Sequence, residues 1–384
     1  MNYTFEQKVK VVNGAGSIKN AGDILEEAGY KKAFIVTTAG TVKRGSVKKL
    51  QDSLAEKEIE SVIFDKAIPD PPVEIVSEGA AQCKQQQCDC VVAIGGGSSI
   101  DAAKGINILR FNDGSILDYT KKEMRQCPGL IVIPTTSGTG SELSNGAIIT
   151  DTENDMKMPI PCANCMAEYA ILDPELTVSM PSGITRETGL DAFSHAVEAY
   201  TSVLSNAMTD IVCESVMETI VKYLPAAYNN GNDMEAREKM QTASAVGGWM
   251  LYNACAHAGH SFAHVTGAKL HLVHGNACAY GLPVVLKIIG DAVPQKVKHI
   301  GEILGASYDG SEDAGQIGEK AAAAYRNFVS ELELPKAPKL TLTDAEIDQL
   351  AENIASEAFA GLCPVKVTKD IARQMVMEAL DIKG

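Results

Sequence analysis

Seven histidines occur in the 384-residue sequence, and five of them fall between residues 257 and 274: His257, His260, His264, His271 and His274. Another, His195, closes the run Gly189-Leu190-Asp191-Ala192-Phe193-Ser194-His195. Asp191 and His195 are four residues apart, so on a helix they share a face. A carboxylate and an imidazole so placed can bind one divalent ion. His260 and His264 repeat that spacing. A single buried histidine is usually held by hydrogen bonds alone, and a single Asp–His pair of this kind is more often a surface interaction. Five imidazoles in so short a stretch are harder to explain by packing. The pattern predicts a metal site with oxygen and nitrogen donors and no thiolate, which suits Fe(II) and Zn(II) equally. Spacing alone does not say which histidines are the ligands.

A second chemistry is written in two turns. Val91-Val92-Ala93-Ile94 runs into Gly95-Gly96-Gly97-Ser98-Ser99-Ile100-Asp101-Ala102-Ala103-Lys104, which reads as strand, glycine turn and helix. Glycines let the backbone approach a ligand closely, and the helix start offers unpaired N–H groups and a positive dipole end to a pyrophosphate. Neither the common dinucleotide fingerprint nor a Walker sequence is present, so the same residues also read as a tight connection. Pro134-Thr135-Thr136-Ser137-Gly138-Thr139-Gly140-Ser141-Glu142 again follows an apolar run and is dense in hydroxyls and glycines. Two such turns at the carboxyl ends of parallel strands suit a dinucleotide. The alternative for the second is a Ser/Thr-rich loop capping a helix from Ser141 onwards.

These groups need a scaffold. In the first half, β-rich runs at Ala33–Thr37, Ile59–Phe64, Val91–Ile94 and Leu130–Ile133 alternate with helical stretches, among them Val42–Lys57 and Val73–Gln87. That alternation predicts βαβ units and a mainly parallel sheet. After about Pro181, helical spacing takes over, at Asp191–Tyr200, Ala207–Tyr223 and Ala236–His257. Terminal helices at Asp344–Ala358 and Lys369–Leu380 have Thr343 and Thr368 as N-caps. The expected organisation is an α/β Rossmann-like dinucleotide-binding domain over residues 1–182 and an all-α, metal-binding and substrate domain over 183–384.

Composition agrees with a folded protein: 45% of residues are hydrophobic and 22% charged. A net charge of −15 argues against nucleic acid and anionic lipid as primary partners. No stretch approaches the about 18 apolar residues of a membrane span, and the N-terminus lacks a signal-peptide core. Ten scattered cysteines suggest a reducing compartment, the cytoplasm. Cys162-x-x-Cys165 has no second pair, so it is read as coincidental.

Taken together, the Gly95–Lys104 turn, the Pro134–Glu142 turn, Ile171-Leu172-Asp173-Pro174-Glu175-Leu176, the Gly189–Tyr200 segment and the His260–Gly275 block resemble the iron-containing (group III) alcohol dehydrogenase family. That family shares its dehydroquinate synthase-like fold with glycerol dehydrogenases. The resemblance runs through nearly the whole chain. It implies that Asp191, His195, His260 and His274 ligate Fe(II), with Zn(II) as the other candidate, and that His264 is a near neighbour that contacts cofactor or substrate or passes a proton. It further implies that Gly96, Gly97, Ser98 and Asp101 contact the phosphates and nicotinamide side of NAD(H) or NADP(H). Thr135, Thr136, Thr139 and Lys157 are further cofactor contacts by the same resemblance, and Asp70 lies where the family often has a polar residue. The family commonly forms dimers or larger homo-oligomers.

Departures from the family pattern are informative. Thr37-Thr38 stands where NAD-preferring members carry a Thr-Asp pair, which leaves NADP open at Thr38. Lys43 and Arg44 follow, as ribose-side cations or as plain helix-surface charge. Val273 replaces a frequent proline, His271 is additional, and the region of Cys363 lacks the frequent Asn-Pro-Arg. Trp249, Leu251, Tyr252 and Asn253 read either as substrate lining or as helix core. The implied activity is metal-dependent, NAD(P)-linked reversible hydride transfer between a small alcohol and its aldehyde, an anionic aldehyde being included. The alternatives are a glycerol-dehydrogenase-like polyol enzyme and a metal-assisted lyase similar to dehydroquinate synthase, which would call for more Lys and Arg than the His-rich block supplies.

Overall fold

A computed structural model describes residues 3–154 and 156–382. In chain order the elements of the first half are β1 (Lys10–Asn13), α1 (Ala21–Glu27), β2 (Lys32–Val36), α2 (Ala39–Lys43), α3 (Ser46–Ala55), β3 (Glu60–Phe64), α4 (Val73–Gln85), β4 (Cys90–Gly95), α5 (Gly97–Phe111), β5 (Leu130–Pro134), β6 (Gly146–Asp151), β7 (Met156–Pro161) and β8 (Tyr169–Leu172). Helices follow: α6 (Ser182–Thr201), α7 (Ala207–Asn229), α8 (Met234–Asn253), α9 (Ala258–Leu270), α10 (His274–Ile289), α11 (Pro294–Ile303), α12 (Ala314–Glu331), α13 (Asp344–Ser356) and α14 (Lys369–Ala379).

Two compact units emerge, one of residues 6–180 with 232–252, the other of residues 3–5, 181–231 and 253–382. The first is built on a six-stranded sheet of order β1-β8-β5-β4-β2-β3, with every pair parallel. Its central strands β4 and β5 are buried on both faces, which is why they read as unbroken apolar runs. Helix α5 crosses over β4 with its apolar residues Ile100, Ile106 and Ile108 fully buried. A separate antiparallel hairpin, β6–β7, pairs Gly146 with Pro161 through Asp151 with Met156.

Helix α8 comes late in the chain yet belongs to this unit. Gln241 on α8 donates to the carbonyls of Pro134 and Asp173, and Ala245 joins the sheet's core. Trp249 and Tyr252 pack against the same core, and the Trp249 indole N–H donates to the Glu6 carbonyl. The purely helical second unit packs α6 on α7 and α10 on α6, α9 and α12.

Several local expectations change. The stretch 42–57 is two helices rather than one, because Gly45 takes a left-handed φ of 85° between α2 and α3. No helix starts at Ser141; the chain turns there and enters β6. Cys165 is bonded to Cys127, leaving Cys162 a buried free thiol. Thr343 and Thr368 do cap α13 and α14, accepting from Glu346 N and Ile371 N. Among the described residues no helix is long and apolar enough to cross a membrane.

Candidate active site

In the helical unit, one face of α6 carries Asp191, His195 and Glu198, and all three are buried. Helix α10 begins at His274 and comes close to α6 because residue 275 is glycine: a Cβ there would sit 2.1 Å from the Glu187 carbonyl oxygen. Helix α9 brings His260 in from a third direction. Asp191 Oδ1 is then 3.5 Å from His260 Nε2, 3.4 Å from His274 Nε2 and 3.6 Å from His195 Nε2. These separations are longer than the usual hydrogen bond. They suit edges of a coordination polyhedron, since two N/O donors about 2.1 Å from a tetrahedral ion lie about 3.4 Å apart.

One oxygen or nitrogen each from Asp191, His260 and His274, with Cys278 Sγ, lie within 4.8 Å of one another. His195 is not in that set of four. Its ring stacks on His260 with centroids 4.5 Å apart, and its Nδ1 has no hydrogen-bond partner among the described residues. Burial pushes the His195 pKa down to about 4, against the pull of Asp191, so the imidazole is neutral at pH 7 and its lone pair is free to ligate. Burial works against ionisation of Asp191, but the imidazoles of His195 and His274 hold its carboxyl well below the usual carboxylate range. The cluster is a carboxylate with convergent imidazoles that lack other tasks, and it fits a divalent ion.

Behind these residues lies a second layer that sequence reasoning missed. The Glu198 carboxylate is 2.8 Å from His260 Nδ1 and accepts the backbone N–H groups of His257 and His260. A carboxylate on Nδ1 fixes the tautomer that presents Nε2 to a metal. Burial opposes its charge, yet the charge on His260 and these hydrogen bonds bring Glu198 down to about 2. Gly259 makes room for it, since a Cβ there would lie 2.5 Å from Glu198 Oε1. The signal was available: Glu198 is three residues after His195 and so on the same helix face.

His264 lies one turn beyond His260, its ring stacked on His274 at 5.5 Å. Its Nδ1 is 3.2 Å from Glu357 Oε1, and Glu357 is itself held by Ser261 Oγ and Phe359 N. The other two histidines of the block have different duties. His257 caps α9 by accepting from Ala258 N and pairs with Thr201. His271 ends α9 in a left-handed conformation and is exposed.

In the sheet unit, the expected cofactor residues line up along the carboxyl ends of neighbouring strands. Thr135, Thr136 and Thr139 follow β5, Gly96, Gly97 and Ser98 follow β4, and Thr38 follows β2. Chain order reverses between β2 and β4, which puts a crevice at their carboxyl ends. The glycines let the two turns nest: a Cβ on Gly97 would be 2.6 Å from the Thr139 methyl, and one on Gly96 3.3 Å from Thr136. Thr38 caps α2 by accepting from Thr41 N, and Arg44 donates to the Thr41 hydroxyl. Asp70, beyond β3, forms an ion pair of 2.7 Å with Lys157. Asp101 is turned inward; its oxygens accept from Ser141 Oγ at 2.5 Å and from Ile148 N at 3.0 Å. Lys104, fully buried, donates to Ser141, Ser144 and the Gly146 carbonyl and so ties α5 to the start of β6.

Comparisons with known proteins cover both units. The family model described as iron-containing alcohol dehydrogenase matches residues 8–174, and that for the C-terminal part of the Fe-containing alcohol dehydrogenase family matches 185–382. An NAD-dependent methanol dehydrogenase of Bacillus methanolicus is 36% identical over 377 residues, covering 96% of this chain and 97% of that protein. The crystal structure of a 1,3-propanediol oxidoreductase superposes with a TM-score of 0.93 at 30% identity, over 99% of this chain and 100% of the other. A sulfoacetaldehyde reductase from Bifidobacterium kashiwanohense, solved in complex with NAD+, gives 0.89 at 29% identity, with both chains fully covered.

Proposed function

The chain belongs to the iron-containing alcohol dehydrogenase family, and on that premise we propose that it interconverts a small alcohol and its aldehyde, with Asp191, His195, His260 and His274 holding the metal. The observation that carries this reading is the meeting of one carboxylate and three imidazoles from α6, α9 and α10, with donor–donor spacings that suit a single ion. When bound, a divalent iron supplies Lewis acidity towards the substrate oxygen, and a nicotinamide carries the hydride.

The remaining work belongs to the chain's own side chains. Asp191 offsets the ion's charge, and His195 offers a neutral ring. Glu198 holds the Nδ1 proton of His260, so Nε2 faces Asp191. Glu357 does the same for His264, whose Nε2 is left to take or give the proton that accompanies hydride transfer. Gly96, Gly97 and Ser98 open a helix start to the nucleotide phosphates. Thr135, Thr136 and Thr139 offer hydroxyls beside them, and Thr38 faces the ribose side without a carboxylate to repel a 2′-phosphate. Asp70 with Lys157, and Asp101 through Ser141, brace the loops around that edge. The relatives' names supply methanol, propanediol and sulfoacetaldehyde as substrates, which supports a short substrate here and keeps an anionic aldehyde in scope. A homo-oligomer in the cytoplasm completes the reading, supported by the family's habit and by the eight cysteines that stay free thiols beside the Cys127–Cys165 disulfide.

The test is aldehyde-dependent oxidation of NADH and of NADPH by protein reconstituted anaerobically with Fe(II), beside a chelated control. Turnover that disappears on chelation is the expected result. A protein that binds iron and nucleotide but reduces neither neutral nor anionic short aldehydes would defeat the proposal.

A further inference from the structure

Helix α4 ends in a way that sets two cysteines against each other. Gln87 takes a left-handed φ of 54°. The Cys88 N–H donates to the Cys83 carbonyl at 3.2 Å, and the Gln87 N–H donates to the Lys84 carbonyl at 3.1 Å. This pair of nested backbone bonds is the Schellman closure, which lays the side chain just past a helix end onto one in its last turn. The two side chains in that contact are usually apolar. Here they are Cys88 and Cys83, both free thiols in the core on one face of the sheet, with a hydrogen bond between them. Cys90, two residues on, belongs to the core on the other face.

The two thiols are not equivalent. Cys83 is fully buried, whereas Cys88 keeps 8% of its surface exposed. The hydrogen bond from Cys83 lowers the Cys88 pKa, helped by the charges of Lys32 and Arg110; the same bond and burial raise that of Cys83. Arg110 of α5 reaches this corner: its Nη2 lies 2.8 Å, and the Asp89 carbonyl oxygen 3.1 Å, from where a Cβ on Gly129 would sit. Its Nε is buried and has no hydrogen-bond partner among the described residues. The Asp89 carboxylate, which would oppose a thiolate, is engaged by the N–H groups of Lys31 and Lys32. A thiol that ionises readily at the surface end, with a protonated one behind it, matches an attacking and a resolving cysteine.

We propose that Cys88 and Cys83 form a redox-active dithiol, a modification site for low-molecular-weight disulfides of the glutathione class. The Cys88 thiolate attacks one sulfur of the disulfide; that S–S bond breaks, a mixed disulfide forms on Cys88 and one thiolate leaves. Cys83 then gives its proton to solvent and attacks the Cys88 sulfur, forming the Cys83–Cys88 bridge and expelling the second thiolate. The two protein thiols lose two electrons, and one small disulfide becomes two thiols. A bridge needs α-carbons within about 6.8 Å of each other, and the backbone hydrogen bond already holds these two residues together before it closes. The site lies at the amino end of β4, opposite the Gly95 end, and does not depend on the metal centre.

The experiment reduces the full chain with a water-soluble phosphine, removes the phosphine and incubates the protein anaerobically with graded ratios of glutathione and its disulfide. Acid and N-ethylmaleimide stop the exchange before digestion with trypsin. Cleavage after Lys84 separates the two cysteines, so their peptides stay together only through the bridge, and fragmentation of the joined pair tells Cys88 from Cys90. The wild type is expected to give the joined pair with no glutathione retained. Cys83→Ser should stop with glutathione on Cys88, and Cys88→Ser should leave Cys83 unmodified. No joined pair from folded wild type at any ratio, glutathione that stays on wild-type Cys88 as the end product, or a bridge from Cys88 to Cys90 overturns the proposal. So does a joined pair that forms only after unfolding in urea. Should Cys83→Ser fail to fold, the wild-type digest decides alone.

Discussion

The Glu198 carboxylate is fully buried and has three N–H groups to satisfy, the ring of His260 among them. In Glu198→Gln the charge is lost and the amide cannot hold the same tautomer. Metal affinity should fall about 10–100-fold, read by competition with a chromogenic chelator. An affinity equal to wild type would show that His260 is oriented by something else. His264→Asn bears on proton movement rather than metal holding, so turnover should drop about 10²–10⁴-fold with metal content unchanged. Full turnover in that variant would remove His264 from the relay. At this scale the sequence was legible at Asp191 and His195, four apart on one face of α6. Cys278 escaped because it sits in Ala277-Cys278-Ala279, where a cysteine looks like one more small core residue. Glu357 escaped because it is 93 positions from the histidine it holds, and only the fold brings them together.

Among the elements, the turn after β5 is held by close backbone contact as well as by the side chains that meet Ser141. Gly140, at a φ of 59°, packs directly on Gly248 of α8, and a Cβ on Gly248 would fall 1.9 Å from the Gly140 carbonyl oxygen. Gly248→Val therefore forces α8 away from the turn. It should destabilise the sheet unit by about 1–3 kcal/mol and weaken NADH binding, measured by thermal unfolding and nucleotide fluorescence. Next to that turn, Glu142 is buried with Oε1 lacking a hydrogen-bond partner among the described residues. Burial pushes its pKa up to about 7 from an ordinary 4.5. Its folded form prefers the proton, so the stability it confers is complete below about pH 4.5 and is lost as pH rises through about 7, some 3 kcal/mol in all. Glu142→Gln should flatten that dependence, seen as denaturant midpoints at about pH 5 and pH 8 that differ less than in the wild type. The strands feeding these turns were readable because β4 and β5 are apolar throughout. The β6–β7 hairpin was not, since β7 has a single fully buried residue, Ile160, and no regular alternation of burial, within a stretch broken by polar turns.

For the whole molecule, each ligand should protect its own unit. Hydrogen exchange followed segment by segment should slow in α6, α9 and α10 on metal loading. It should slow at the β4–α5 turn and after β5 on adding NADH, with about 2.7 kcal/mol of stabilisation at a hundredfold excess over the dissociation constant. Metal protection confined to the sheet unit would contradict the placement of the ligands. The change of texture near Pro181 made two units legible in the sequence, but not that α8 belongs with the sheet, because a helix advertises its apolar face and not the partner it will find. That membership has a consequence for how the protein is made. Strand β1 waits for β8, more than 150 positions later, before it has a neighbour, and the turn after β5 lacks its contact with Gly248 until residues 232–252 arrive. A chain emerging from the ribosome passes through the whole of α6 and α7 before its nucleotide-binding half can close. A gene truncated after residue 180 should accordingly yield an aggregation-prone fragment, with the face that receives Ala245 and Trp249 laid bare.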